Sequence, residues 1–373
     1  MTEPVIKGYC PGALRPMMSG DGLVVRLRPL NGRLTSVQCH GIADLSEQFG
    51  NGFLDLSSRA NIQLRGISEA SYTTLIDRLR ALDLVDPTEE VEQRRNIVIT
   101  PFYAGLDETV ALSDRLTQAL RGMSSPALPH KFGFAIDTGP VPVLQSASAD
   151  IRIERDVKGR FILVADGMQY AKPVSFDQCI EEALALAGWF LRHRTTENRM
   201  AHLPKSLSPK GFNTPRQNQV YQPTPGPTPW GYLAGFAFGQ FSAHALRCMG
   251  ALGAIHLTPW RMTLIENIQT QPAIDGAITD PNDPLLRVTA CPGAPQCAQA
   301  FGETRDIARN LAHHLKSDQT LHVSGCAKGC AYPKTAPLTL TATQTGFDLV
   351  RQGRAGDTPS QTDLSFPDII KAL

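Results

Sequence analysis

The chain has 373 residues, 42% hydrophobic and 19% charged, a length that predicts more than one core and a composition that excludes disorder. Its 36 Lys and Arg against 35 Asp and Glu leave a net charge of +1, which excludes nucleic-acid binding through bulk charge and leaves room only for a local basic pocket. The opening MTEPVIKGYCPGALRP lacks the apolar stretch of a secretory leader, and the longest strongly apolar run, 183–191, is too short for a membrane span. The expectation is a cytoplasmic chain with reduced thiols and neither membrane nor nucleic acid as partner.

From Gly22 the sequence GLVVRLRP alternates as a strand does, and SVQCHGIADLSEQFG after it suits a helix. Two short strands, 53–58 and 61–67, lead to Ser68, an N-cap for a helix with Tyr72, Leu75, Ile76, Leu79 and Leu82 at helical spacing. Strand-like runs follow at 94–100, 131–136, 151–154 and 161–165, then a helix over 176–193. Seven prolines between Pro204 and Pro229 mark 205–229 as a linker. Beyond it the first order returns: a strand at 232–238, a helix at 242–250 and a strand pair in 255–268. Leu-Thr-Pro-Trp-Arg at 257–261 sets against Leu-Ser-Ser-Arg at 56–59 with a one-residue offset at the turn, an internal repeat that implies two related halves about a pseudo-two-fold axis. The last hundred residues predict a helix over 303–315 and strands at 321–324 and 338–343.

Chemistry concentrates in two places. Cys291-Pro-Gly-Ala-Pro-Gln-Cys297 and Cys326-Ala-Lys-Gly-Cys330 supply four thiolates, the set a 4Fe–4S cluster takes at one per iron, in Gly- and Pro-bearing loops whose N–H groups can approach sulfur. Structural zinc prefers shorter gaps than the five residues between the first pair, and disulfides suit neither the compartment nor the chain length, so both stay open but disfavoured. Cys39, Cys179 and Cys248 read as core thiols, and Cys10 stands alone in Tyr-Cys-Pro-Gly. The second place is basic. Arg59, Arg65, Arg95 and Lys131, with Gln63 and Asn96, lie at or beside strands, where guanidinium forks converging on one surface would bind carboxylates; the alternative is a set of solvated charges.

Together the cysteine spacings, the repeat, Leu-Ser-Ser-Arg59-x-x-x-Gln63-Leu-Arg65-Gly, Arg95-Asn96-Ile and Leu128-Pro-His-Lys131-Phe resemble the sulfite and nitrite reductase hemoprotein superfamily over 22–333. The resemblance implies an α+β fold of two ferredoxin-like half-domains related by pseudo-two-fold symmetry, plus two α/β domains, the C-terminal one carrying the iron–sulfur cluster. The implied division is 1–85, first half-domain; 86–204, macrocycle-binding domain; 205–229, linker; 230–275, second half-domain; and 276–373, cluster domain. Cys10-Pro-Gly, Arg26-Leu, the residues around both cysteine pairs and His322-Val-Ser-Gly are more similar to the precorrin-3B synthase family within that superfamily.

That likeness implies an oxygen-dependent monooxygenase of aerobic cobalamin biosynthesis. Its substrate would be precorrin-3A, hydroxylated at the meso carbon between rings A and D, with a ring-A acetate closing as a lactone. Arg59, Gln63, Arg65, Arg95, Asn96 and Lys131 would hold the substrate, and Cys291, Cys297, Cys326 and Cys330 the 4Fe–4S cluster. A mononuclear non-haem iron is implied too, with His202, Asn213 and His256 as candidate ligands, and electrons would come from an external reductase or NADH-linked donor. Siroheme is not expected, because the tetrapyrrole would be the substrate. Three departures from the reductase pattern bear on this: Gly133 stands where a second lysine is usual, and Lys328 and Tyr332 stand near the last cysteines where Asn and Arg are usual. A small siroheme-dependent reductase and a non-catalytic tetrapyrrole or electron carrier are the competing readings.

Overall fold

Thr35 and Ser242 open two helices in the same way. The Thr35 hydroxyl accepts the Gln38 N–H at 3.2 Å, and Gln38 closes the capping box on the Thr35 N–H. The Ser242 hydroxyl accepts the Ala245 N–H at 3.0 Å. The helices that follow, Ser36–Phe49 and Ala243–Leu252, pack on each other so closely that a Cβ at Gly250 would lie 2.6 Å from the Cys39 side chain. Burial pushes the Cys39 thiol up to about 12, in keeping with a core residue. This computed structural model describes residues 10–122 and 128–373; the start of the chain up to residue 9, part of the stretch read above for a leader, lies outside them.

Each helix belongs to an antiparallel sheet, five-stranded in the first case and six-stranded in the second, where Ala277–Ile278 pairs with Gly231–Phe236 off the main order. The first runs Met17–Ser19, Gly22–Leu27, Ile62–Ile67, Phe53–Leu56, Gln240–Ser242, and the second Gly226–Thr228, Gly231–Phe236, Met262–Glu266, Ile255–Leu257, Arg33–Leu34. The strand orders match, and each sheet is completed by an edge strand from the other repeat. Before each exchanged strand lies a short 3-10 turn with two left-handed residues, Asn31 and Gly32 (φ 57° and 62°) or Phe238 and Gly239 (φ 60° and 74°). The exchange locks the two repeats into one shared core that holds Leu34, Cys39, Ile42, Leu64, Leu246 and Ile255.

A third sheet runs Thr214–Pro215, Tyr170–Pro173, Phe161–Ala165, Ile151–Arg155, Phe134–Asp137, Ile97–Ile99. Helices Glu108–Gly122 and Cys179–His193 cover it over a separate core that includes Leu116, Phe132, Phe134 and Phe190. The proline-rich segment supplies two strands, Thr214–Pro215 and Gly226–Thr228, both at sheet edges, where a missing N–H costs no ladder bond. In the fourth sheet, Val288–Ala290, Leu321–Ser324 and Ala336–Ala342 are parallel, and Phe347–Gly353 and Gln361–Leu364 continue it antiparallel.

Local expectations hold for the Ser68 cap and for both strand pairs, and shift elsewhere. Residues 89–94 form a helix, Glu89–Arg94, because Thr88 caps it and three glutamates fill its first turn, so the strand expected over 94–100 is confined to Ile97–Ile99. The helix expected over 303–315 spans only Arg305–Ala312. No helix among the described residues is long and apolar enough to cross a membrane.

Candidate active site at the cysteine loops

Topology brings the two cysteine pairs together. Val288–Ala290 and Leu321–Ser324 are neighbouring parallel strands, so the loops leaving their carboxyl ends, one starting at Cys291 and the other reaching Cys326, emerge on the same edge. The Gly325 N–H points at Cys291 Sγ from 3.2 Å, and Cys291 N–H reaches back to the Val323 carbonyl. Gly325 has to be glycine, since a Cβ would lie 2.7 Å from that of Ala300. The first loop seats on the first sheet: the Gln296 carbonyl accepts from Ser19 Oγ (2.6 Å), Gly20 N (3.1 Å) and Arg65 Nη2 (3.0 Å). A side chain at Gly20 would meet the Pro295 carbonyl at 2.1 Å.

All eight cysteines are free thiols. Burial pushes the Cys326 and Cys330 thiols up, and the charges of Cys291 and Cys297 push them further, while Lys328 draws both back. Such a set resists ionising until a cation relieves it, which is the chemistry of a metal-binding thiolate cluster. Among the described residues no three His, Cys, Asp or Glu gather about a single ion. A cubane asks for something else, four thiolates with one for each iron, and four thiols on two loops that leave one sheet edge, with the Gly325 N–H on Cys291 Sγ, suit it. The candidates for a mononuclear iron do not converge. His202 is on the cavity wall, Asn213 is tied through its N–H to the Ala171 carbonyl, and His256 is buried with Nε2 2.6 Å from Glu266 Oε1. The described residues therefore do not assemble that site, and no step is derived through it.

Cys297, Cys326 and Cys330 line a cavity of about 970 Å³, at the upper end of the range for small-molecule sites. Its other walls are Met17 to Ser19, Pro129 to Lys131, Thr196 to Arg199 and His202, with Lys328 between the cysteines. Cationic and imidazole groups outnumber the one acid, Glu197, so the cavity favours an anionic guest.

The six residues expected to hold a guest separate into two groups. Arg59 sits in the turn after Phe53–Leu56 with Nη2 3.4 Å from Ser148 Oγ, which also accepts from Arg199 Nη1 at 3.1 Å, and its Nε has no partner. Gln63 accepts through its amide oxygen from Arg26 Nε (3.2 Å) and Nη2 (2.9 Å). Lys131 projects from the cavity wall. Arg65, by contrast, is buried with its donors committed to Asp21 (2.9 and 3.0 Å), Ser19 and Gln296 and with Asp55 3.7 Å away. Arg95 is buried against Asp86 at 2.8 to 3.0 Å and the Arg28 carbonyl at 2.6 Å. Asn96 is buried on the Phe132 carbonyl at 3.1 Å. These three brace the frame; their acceptors are already supplied from inside the chain.

Arg26 was missing from that expectation. Burial, together with Arg28 and Arg59, draws it down to about 10 against the pull of Cys10. Neither Arg26 nor Arg59 makes an ion pair among the described residues; the two half-buried guanidiniums repel each other, and Asp150, already paired with Arg199, only partly offsets Arg59. No local pattern in the sequence marks Arg26; the strand register sets it directly across from Gln63. Gly133 acquires a reason as well: a Cβ there would lie 2.6 Å from the Asn96 amide, so this backbone has no space for a lysine.

Strand-exchanged sheets, two cysteine loops on one sheet edge and a basic cavity in front of them define a protein of the nitrite and sulfite reductase class. The family model for the nitrite/sulfite reductase ferredoxin-like half domain matches residues 15–82. The structure of the Mycobacterium tuberculosis NirA protein superposes with a TM-score of 0.60 at 17% identity, over 88% of this chain and 74% of that one. A ferredoxin–nitrite reductase of Leptolyngbya laminosa is 24% identical over 92% of this chain and 82% of its own. A precorrin-3B synthase of Sinorhizobium sp is 30% identical over 95% of this chain and 84% of that protein. The chain belongs to the precorrin-3B synthase family and is an oxidoreductase of that kind.

Proposed function

We propose that the chain converts precorrin-3A into precorrin-3B in aerobic cobalamin biosynthesis. Dioxygen and two electrons with two protons enter, one oxygen atom is placed on the macrocycle and the other leaves as water. The observation that carries this reading is the basic cavity lined by Cys297, Cys326 and Cys330, whose Arg199 shares the Ser148 hydroxyl with Arg59. A tetrapyrrole rich in acetates and propionates matches that charge. Arg59, joined to the cavity wall through Ser148 and Arg199, would with its neighbour Arg26 hold one carboxylate edge, and Lys131 would meet another. Held this way, the macrocycle presents a single face and keeps the ring-A acetate beside the carbon it closes on. A cluster held by Cys291, Cys297, Cys326 and Cys330 would supply electrons singly from an external reductase or NADH-linked donor. Gly133 argues for a substrate tetrapyrrole over siroheme, since the cation missing there would stabilise a small anion on a haem iron. The division into half-domains 1–85 and 230–275, flanking the 86–204 domain and the 205–229 linker, with a cluster domain at 276–373, belongs to this reading.

Anaerobically purified and reconstituted protein, given precorrin-3A, a reductant and ¹⁸O₂, should yield a product heavier by one ¹⁸O. Its spectrum should show broad iron–sulfur absorption without siroheme bands. Stoichiometric siroheme with sulfite or nitrite turnover would transfer the chain to the reductases. Tight macrocycle binding without oxygen incorporation would make it a carrier.

A further inference from the structure

The loop between the last two cysteines carries a charge at an unusual place. Cys326-Ala-Lys328-Gly-Cys330 turns through a left-handed Gly329, φ 62°. Lys328 donates its backbone N–H to the Cys326 thiol, and its side chain lines the cavity beside Cys297, Cys326 and Cys330. Two of the four thiols flank it within a five-residue loop.

A cluster on four thiolates is anionic, and reduction adds another negative charge without making or breaking a bond. A cation held on the ligand loop stabilises the reduced form more than the oxidised one, and exposure of Lys328 to water keeps the effect moderate. We propose that Lys328 is a positioning residue for the electron: carried on the loop between two cluster thiolates and lining the cavity with them, it determines how readily the bound cluster accepts one electron. The inference rests on the cluster reading above. It also gives a physical content to the Lys for Asn departure at this position, because Asn brings a hydrogen bond and no charge.

The experiment compares wild type, Lys328→Met and Lys328→Arg, each reconstituted anaerobically with iron and sulfide. Loading is scored by iron and acid-labile sulfide, and the reduced cluster is then counted by electron paramagnetic resonance at fixed potentials set with viologen mediators. Equal loading is expected, with a reduced-to-oxidised ratio about tenfold lower in Lys328→Met at the same potential, equivalent to about 59 mV for one electron. Lys328→Arg should stay within about twofold of wild type. Equal loading with the same ratio in all three overturns the role of Lys328 and leaves the cluster reading standing. If wild type takes up no iron and sulfide, the cluster reading and this inference fall together. If only Lys328→Met fails to load while Lys328→Arg loads with a shifted ratio, the lysine serves the loop's structure and the inference is overturned.

Discussion

The two repeats have one topology and opposite chemistry at matching positions. In the first, Arg26 faces Gln63 across the strands, and Arg59 occupies the turn between Leu56 and Ile62. In the second, Leu233 faces Leu264, and Trp260 occupies the equal-length turn between Leu257 and Thr263. Leu233 and Leu264 are fully buried and pack with Trp230, Trp260 and Phe102, whose rings stand 5.0 to 6.0 Å apart. One repeat gathers cations that lack acids, and its counterpart fills the same place with apolar side chains. Three residues beyond each turn the contrast recurs with full charges: Arg65 ties the first sheet to Asp21 and the cluster loop, whereas Glu266 ties the second to Arg33 and His256. A duplicated frame can therefore offer one polar site because packing satisfies the fold equally well with either filling, while binding an anion needs the polar one.

The largest expected effect lies outside the comparison and sets its scale: Cys326→Ala should lower bound iron from about four per chain to none after reconstitution. Next, truncating the apolar counterpart should unfold rather than unbind. Trp260→Ala or Leu233→Ala should cost about 2–4 kcal/mol in urea unfolding while leaving macrocycle affinity unchanged. Arg59→Ala or Arg26→Ala should do the reverse, weakening macrocycle binding by about 1.5–3 kcal/mol in equilibrium titrations at little cost in stability. If Arg59→Ala left affinity intact, the polar half of the comparison would collapse to ordinary surface charge. Gly133→Lys, which restores the reductase residue, should lower stability by about 1–3 kcal/mol through the clash with Asn96.

The smallest effect concerns the pin of the second repeat. Arg33 and His256 hold the Glu266 carboxyl down to about 2, so its contribution is complete above the usual carboxylate value and is lost as pH falls toward 2. Glu266→Gln should cost about 1 kcal/mol at neutral pH, allowing for solvent screening, and should match wild type near pH 2 in thermal unfolding.

Much of this was legible in advance for local reasons. The cysteine spacings, the strand pairs 53–58 and 61–67, the Ser68 cap and the repeat around Leu56 and Leu257 are short-range patterns, and the structure carries each of them. Arg59 and Gln63 were legible as members of one hairpin. Arg65 and Arg95 were not separable from them, because what engages their donors lies elsewhere in the chain: Asp21 and the Gln296 carbonyl for Arg65, Asp86 and the Arg28 carbonyl for Arg95. Arg26 looked like one residue of an alternating strand until register set it against Gln63.

The sequence by itself determined which side chains could do chemistry, the four thiols and the surplus of arginines, and it placed the chain in its superfamily through motifs that survive without a fold. The tertiary structure alone decided which of those groups are already satisfied. A guanidinium's role depends on whether an acceptor stands within hydrogen-bond reach, and that is fixed by strand exchange and by loops folding back on distant sheets. Arg65 and Arg95 meet their acids there and become frame; Arg26 and Arg59 make no ion pair among the described residues, which leaves their charge open to the guest of the proposed function.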